Sequence, residues 1–338
     1  MDWTGWLEEG RRYFGWRDIA HVLSPLAPVA TPHDIVLRHH AHRQADDLDR
    51  RDPALIAWIG RGTAELARLF RLEVHGLENV PATGGALLVG SHNGGLMVTD
   101  SLFTVAAIAE RFGPERRVYA LAHDLVLYDR VAHRIGGQVG ILRAGHESGS
   151  HALRAGHLVL VYPGSDMDSM RAWKDRFKVE LAHRTGFIRL ALHERVPIVP
   201  VLATGTHEQW IVLTRGETLA KRLGLGRLLR TKVFPIALAL PFGLSFGLLP
   251  YLPLPAQTTI AFGPPLSWPD LPPAAADDPD VLARCYAEVT HAMQRVLDAM
   301  AKDRIPFIGQ PAHARAGIDA AVSAAPAAAA STRGDERA

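Results

Sequence analysis

Residues 85–113 read GALLVGSHNGGLMVTDSLFTVAAIAERFG. The first part, GALLVGSH, is a short apolar run of the kind that forms a buried strand. Gly94 and Gly95 then interrupt it, and DSLFTVAAIAERFG reads as a helix stopped by Gly113 and Pro114. A buried strand that turns through glycines into a helix is the repeating step of an α/β sheet.

The same alternation extends in both directions. EVHGLENVP ahead of it is a strand and turn, while RVYALA, VGIL, HLVLVYPG and VPIVPVLATG read as further strands. Helices are expected near LVLYDRVAHRIGG, SGSHALRAG and RTGFIRLALHE, and a long polar stretch, DMDSMRAWKDRFKVE, follows HLVLVYPG. Strands alternating with helices predict an α/β fold, a largely parallel sheet covered by helices. TTIAFGPPL is expected to be a last strand, and DPDVLARCYAEVTHAMQRVLDAMAKDR is a strongly periodic helix. Three regions result: 1–53, an N-terminal amphipathic helical segment and linker; 54–306, the α/β domain; and 307–338, an alanine-rich tail expected to be disordered.

Composition excludes several classes. The 338 residues are 21% charged and 48% hydrophobic with a net charge of +2, so no global charge argues for a nucleic-acid partner. The single cysteine, Cys285, leaves no internal disulfide and no multi-cysteine metal site. His39, His40 and His42 are not accompanied by another ligand cluster, so no metal is expected. The opening MDWTGWLEEGRRYFGW is too polar for the apolar core of a secretory signal.

Two stretches have membrane-like composition. Residues 3 to about 28 look like an amphipathic helix, with Trp3, Trp6 and Trp16 beside Arg11, Arg12 and Arg17; both an interface anchor and an ordinary docking helix fit that pattern. Residues 233–253, VFPIALALPFGLSFGLLPYLP, carry no charge but contain Pro235, Pro241, Pro250 and Pro253, which a regular spanning helix would not tolerate without help. Such a segment is either a buried, proline-broken part of the core or a surface that dips into one leaflet.

The chemistry centres on the glycine turn. His92 falls at the carboxyl end of a strand, where open α/β sheets place their ligands. Asp100 follows eight residues later, in the first turn of the helix. A continuous helix would separate the two by about 12 Å, but Gly94 and Gly95 let the loop fold back. A carboxylate on one imidazole nitrogen fixes the tautomer and leaves the other nitrogen free to take a proton, which makes a general base for an alcohol. Asp100 is also placed to cap its helix, and His92 also fits an ordinary loop histidine. The adjacent pair His123–Asp124 is weaker, since neighbours on an extended strand point to opposite faces.

Four blocks in order, FRLEVHGLENVPATGGALLVGSHNGG, VGILRA, LVLVYPGSD and VPIVPV, resemble the glycerolipid acyltransferases, from about Ala54 to Pro306. The resemblance implies transfer of a fatty acyl group from acyl-CoA or acyl carrier protein to a glycerolipid hydroxyl, with no further cofactor. It implies a phospholipid or glycerolipid biosynthetic enzyme on a membrane lipid surface, cytoplasmic and peripherally (monotopically) attached to the cytoplasmic membrane. The family's His-x4-Asp would correspond to His92 and Asp100, spaced here as His-x7-Asp. Arg143 matches the second block's phosphate-contacting arginine. Tyr162, Pro163 and Gly164 keep the third block's turn but lack its glutamate, and Arg171 stands six residues beyond the expected arginine. Substrate contacts are therefore expected from Gly94, Gly95, Arg143, Pro163, Gly164, Arg171 and Arg184, with Lys174, Arg176 and Lys178 as further basic neighbours. Two other readings stay open. A lipid ester hydrolase would normally show Gly-x-Ser-x-Gly, where GSHNG has His92 at the centre. A non-catalytic lipid-binding protein of the same fold would accommodate the altered third block.

Overall fold

A computed structural model describes residues 1–15, 46–93, 95, 98–122, 127, 130–225, 233–247, 249 and 251–324. Trp16, Arg17, the three histidines at 39, 40 and 42, Gly94 and the His123–Asp124 pair lie outside the described residues.

A seven-stranded sheet organises the chain. Its strands are β1 (Glu73–His75), β2 (Ala86–Gly90), β3 (Val118–Ala122), β4 (Ile141–Arg143), β5 (Leu158–Val161), β6 (Ile198–Thr204) and β10 (Thr259–Phe262). They lie in the order β1-β10-β6-β2-β5-β3-β4. The five from β6 to β4 are mutually parallel, β10 runs antiparallel to β6, and β1 runs parallel to β10. The fold is α/β with a mostly parallel sheet.

Every residue of β2 is buried, because both faces of the sheet are covered. Leu87 and Val89 face one core with Ile188 and Leu190 of α7 (Gly186–Glu194) and Val289, Met293 and Val296 of α10 (Pro279–Ala301). Ala86 and Leu88 face the other core with Phe70, which follows α2 (Pro53–Leu69), and with Phe103 and Ile108 of α3 (Thr99–Phe112). Asp52 caps α2 by accepting the Ala54 and Leu55 N–H groups at 2.9 and 3.1 Å, with Pro53 in the first turn. Between β3 and β5 lie α4 (Arg130–Gln138), β4 and α5 (His146–Arg154).

The chain leaves β2 for β3 and β4 on one side, returns to β5 beside β2, and then crosses to β6 on β2's other flank. The carboxyl end of β2 is therefore the point at which the strand order reverses, where open sheets form their crevice.

The apolar segment 233–253 forms the hairpin of β8 (Ile236–Ala239) and β9 (Gly243–Phe246), which joins β7 (Ile211–Thr214) in a small antiparallel sheet. Ala237, Ala239, Trp210, Val212 and Tyr251 pack on its inner side. Leu238, Leu240, Phe242, Leu244, Phe246 and Leu252 project outward, each 42–63% exposed. Alternation along the hairpin puts one apolar row in a buried cluster and leaves the other exposed, so each of the two readings of this segment describes one row. Among the described residues no helix is long and apolar enough to cross a membrane.

Two expectations at the ends are corrected. Helix α1 spans only Trp3–Gly10, with a turn at residues 11–13. It is fixed to α2 by Trp6 stacked on Trp58 at 4.1 Å, and each indole N–H donates to the other residue's carbonyl, at 2.9 and 2.8 Å. The expected disordered tail is an ordered helix over α11 (Ala312–Ser323), whose Ile318 and Val322 enter the core beside α10. Alanine-rich composition reads as low complexity, yet alanine is the best helix former, and apolar residues four apart give that helix a face to bury.

Candidate active site

The site begins where β2 ends. Ser91 N–H donates to the Val201 carbonyl at 3.2 Å and Asn93 Nδ2 to the Ala203 carbonyl at 2.9 Å, so the turn is bound to the end of β6. Gly95 has φ +62°, and a side chain there would strike the Trp210 ring, 2.5 Å from Cζ3, and the Tyr251 hydroxyl at 3.0 Å. Only glycine lets the loop pass so close to those rings.

The turn brings His92 and Asp100 together. His92 Nδ1 lies 2.7 Å from Asp100 Oδ2, which also accepts the Asn93 N–H at 2.7 Å. The other carboxylate oxygen accepts the Ser101 N–H at 2.7 Å. Asp100 is almost completely buried, whereas the His92 side chain keeps 13% exposure. A carboxylate on Nδ1 assigns the proton to that nitrogen and leaves Nε2 as the acceptor. Tyr162 packs against the imidazole with ring centroids 4.6 Å apart. Burial, helped by the Asp100 charge, pushes the Tyr162 phenol well above its ordinary range, so it stays neutral beside the histidine.

A cavity of about 530 Å³, lined in part by Tyr162, opens at the carboxyl ends of β3, β4 and β5. Leu121, Val161, Phe187 and Leu190 form its apolar wall, and Pro163, Arg184 and His146 also line it. Arg184 is held there by donating to the Pro163 carbonyl at 2.8 Å. Gly164 lies one residue beyond, where a Cβ would come within 2.5 Å of the Glu180 carbonyl oxygen and crowd Asp168.

The remaining expected contacts are placed differently. The Arg143 guanidinium pairs with buried Asp46 at 2.7 Å, and the same carboxylate accepts the Arg143 N–H at 2.7 Å and the Ser148 hydroxyl at 3.2 Å. Arg171 has no exposed side-chain surface; it pairs with Asp168 and donates to Ser91 and Asn93 inside the protein. The direct contact with a ligand expected of Arg171 gives way to an internal role, because the side chain lies behind the turn. Lys178 pairs with Asp175 at 2.6 Å, and Arg176 stacks on Trp173. Asp168 and Asp46 are the site residues that sequence reasoning missed, and it placed Tyr162 in the turn without its contact to His92. The signal available for the first was its i, i+3 spacing to Arg171, which suits an ion pair on one helical turn. Among the described residues no group of three or more histidine, cysteine or acidic side chains stands close enough to hold a metal.

The chain is similar to several known proteins. An acyltransferase family model matches residues 71–204, which include the whole turn, Arg143 and Arg184. An uncharacterized protein of Mycobacterium tuberculosis is 32% identical over 228 residues, covering 68% of this chain and 61% of that protein. A human protein named DGAT1/2-independent enzyme synthesizing storage lipids is 29% identical over 142 residues, 40% of either chain. The chain thus spans about three fifths of the length of the mycobacterial relatives it matches. The crystal structure of the 1-acyl-sn-glycerophosphate acyltransferase of Thermotoga maritima superposes with a TM-score of 0.43 at 15% identity, covering 85% of this chain and 97% of that one. Over residues 71–204 the chain is thus similar to the acyltransferase family.

Proposed function

We propose that the protein transfers a fatty acyl group from acyl-CoA or acyl carrier protein to a hydroxyl of a glycerolipid, a lysophospholipid or a related acceptor. The observation that carries this is the 2.7 Å contact between His92 Nδ1 and Asp100, which leaves Nε2 as the acceptor at the carboxyl end of β2. The acceptor hydroxyl gives its proton to His92 Nε2 as its oxygen attacks the thioester carbonyl. The tetrahedral intermediate then collapses, the ester forms, and the departing thiolate takes the proton back from His92 as a thiol. No covalent acyl-enzyme is needed. Backbone N–H groups at the glycine turn, Gly95 among them, are the candidates for stabilising the oxyanion. Arg184 and Pro163 shape the substrate side, Gly164 follows in the same turn, and Arg143 lies near the same end of the sheet with its charge partly committed to Asp46. The human relative's name speaks of storage lipids, so neutral lipid alcohols belong among the candidate acceptors.

The outward apolar row of the β8–β9 hairpin supports peripheral attachment to the cytoplasmic face of a membrane. Uncharged side chains on a hairpin enter a leaflet without spanning it, and Trp210 and Tyr251 connect the inner side of that hairpin to the glycine turn.

The test is purified protein with labelled acyl-CoA, and separately acyl carrier protein, against lysophosphatidate, other lysophospholipids, diacylglycerol and a long-chain alcohol. Mass spectrometry should find one ester product that His92→Ala abolishes. Full activity in His92→Ala would overturn the mechanism.

A further inference from the structure

Behind the His92–Asp100 pair stands a second pair of charges for which that mechanism has no use. Asp168 and Arg171 come from the polar stretch after β5, and neither side chain has any exposed surface. The Asp168 carboxylate accepts the backbone N–H of His92 through one oxygen. The other oxygen pairs with Arg171 and accepts the Ser91 hydroxyl at 3.3 Å. Arg171 in turn donates to Ser91 Oγ at 3.1 Å and to Asn93 Oδ1 at 3.2 Å. Three successive residues, Ser91, His92 and Asn93, are thereby bound by one ion pair.

Gly164 belongs to the same construction. A Cβ there would collide with Asp168 Cβ and stand 2.6 Å from its Cγ. The absence of a side chain at 164 makes the space that Asp168 occupies. Burial lowers the pKa of the Arg171 guanidinium to about 10, so it keeps its charge at neutral pH. Desolvating both ions is costly, and well-packed apolar side chains of the same volume commonly stabilise a fold as well or better. A charged pair in this place therefore points to geometry rather than to stability alone.

We propose that Asp168 and Arg171 are positioning residues for His92. Asp168 fixes the main chain at residue 92 by accepting its N–H, and Arg171 fixes Asp168 together with both flanking residues. With Asp100 holding Nδ1 from the front, the imidazole is located from two sides, so Nε2 points in one direction. The effect on turnover rests on the reading of His92 as the base; the effect on the resting imidazole does not.

The experiment uses the full chain with Asp168→Asn and with the double variant Asp168→Asn/Arg171→Gln, which leaves no lone buried charge if the single variant fails to fold. Acyl transfer is measured with the donor and acceptor found active in the panel. Turnover should fall on the order of 10- to 100-fold, with KM for the acyl donor within about twofold because the cavity is untouched. Proton and nitrogen NMR of histidine-labelled protein should show the low-field Nδ1–H resonance of His92, assigned by its loss in His92→Asn, weakened or exchanging in the folded variant. A folded double variant with parental turnover and an unchanged resonance would overturn the proposal. Full activity in His92→Ala would defeat the base mechanism instead, while the resonance would still judge the positioning.

Discussion

Replacing Asp100 by asparagine is the most informative single substitution at the site. The carboxylate accepts three N–H groups, from His92 Nδ1, Asn93 and Ser101, each at 2.7 Å. An amide of the same shape offers one acceptor oxygen and one donor group. If its oxygen turns toward His92 and Asn93, the Ser101 N–H faces an NH2 group; if it turns toward Ser101, the other two donors are stranded. One or two charge-assisted hydrogen bonds are lost either way, each of about 1.5–3 kcal/mol, so stability should drop by about 1.5–6 kcal/mol. The larger effect is on the imidazole. Without an anion at Nδ1 the proton is no longer assigned to that nitrogen, and a fraction of the protein presents Nε2–H to the substrate hydroxyl. The corresponding change in a Ser-His-Asp triad lowers turnover about 10⁴-fold, and a loss of about 10²–10⁴-fold is expected here. Denaturant unfolding gives the first quantity and steady-state acyl transfer at saturating donor the second. A folded Asp100→Asn protein within threefold of parental turnover would refute the reasoning.

Three further outcomes are expected. Gly95→Ala, at φ +62° and against the Trp210 ring, should cost about 2–4 kcal/mol from overpacking and left-handed strain; a urea midpoint equal to the parent's would show that the loop has room. Burial first, then the charges of Arg171 and His92, hold the His207 imidazole well below its ordinary range. The unfolded chain binds a proton near pH 6.5 that the folded protein refuses, so stability should fall as pH drops below about 6.5, by up to about 1.4 kcal/mol per pH unit from this group. His207→Asn should flatten that slope, and an unchanged slope in denaturant titrations would reject the assignment. Leu240→Ser, Phe242→Ser and Leu244→Ser together should weaken flotation with phospholipid vesicles at least tenfold while leaving the melting temperature within a few degrees. Equal flotation of the variant would remove the hairpin from the attachment surface.

Why some of this was legible and some was not follows from where each element's information lies. β2 is covered on both faces, so its run ALLVG is apolar throughout and stands out in the sequence. The glycine turn was legible because its two glycines and the flanking histidine and aspartate all fall within one local stretch. The hairpin at 233–253 hid its strand period, because its outward row is as apolar as its inward one and no alternation of polarity remains to be read. The stretch DMDSMRAWKDRFKVE reads as solvated loop, since single charged residues are seldom buried; only the meeting of Asp168 with Arg171 and with the His92 main chain explains its position. Likewise Gly164 reads as a lost glutamate until Asp168 is seen filling the space beside it.

The strand order also bears on how the chain is made. β1 lies at the sheet's edge and, among the described residues, its only strand neighbour is β10, formed by Thr259–Phe262. β2 finds both of its neighbours once the chain has been synthesised through β6, at Thr204. During vectorial synthesis, the glycine turn at residue 92 can be braced by its flanking strands while β1 still waits, unpaired, for residues that have not left the ribosome. A nascent chain stalled beyond Thr204 but short of Thr259 is therefore expected to have an assembled centre and an open margin, with Glu73–His75 the segment most exposed to holdase chaperones.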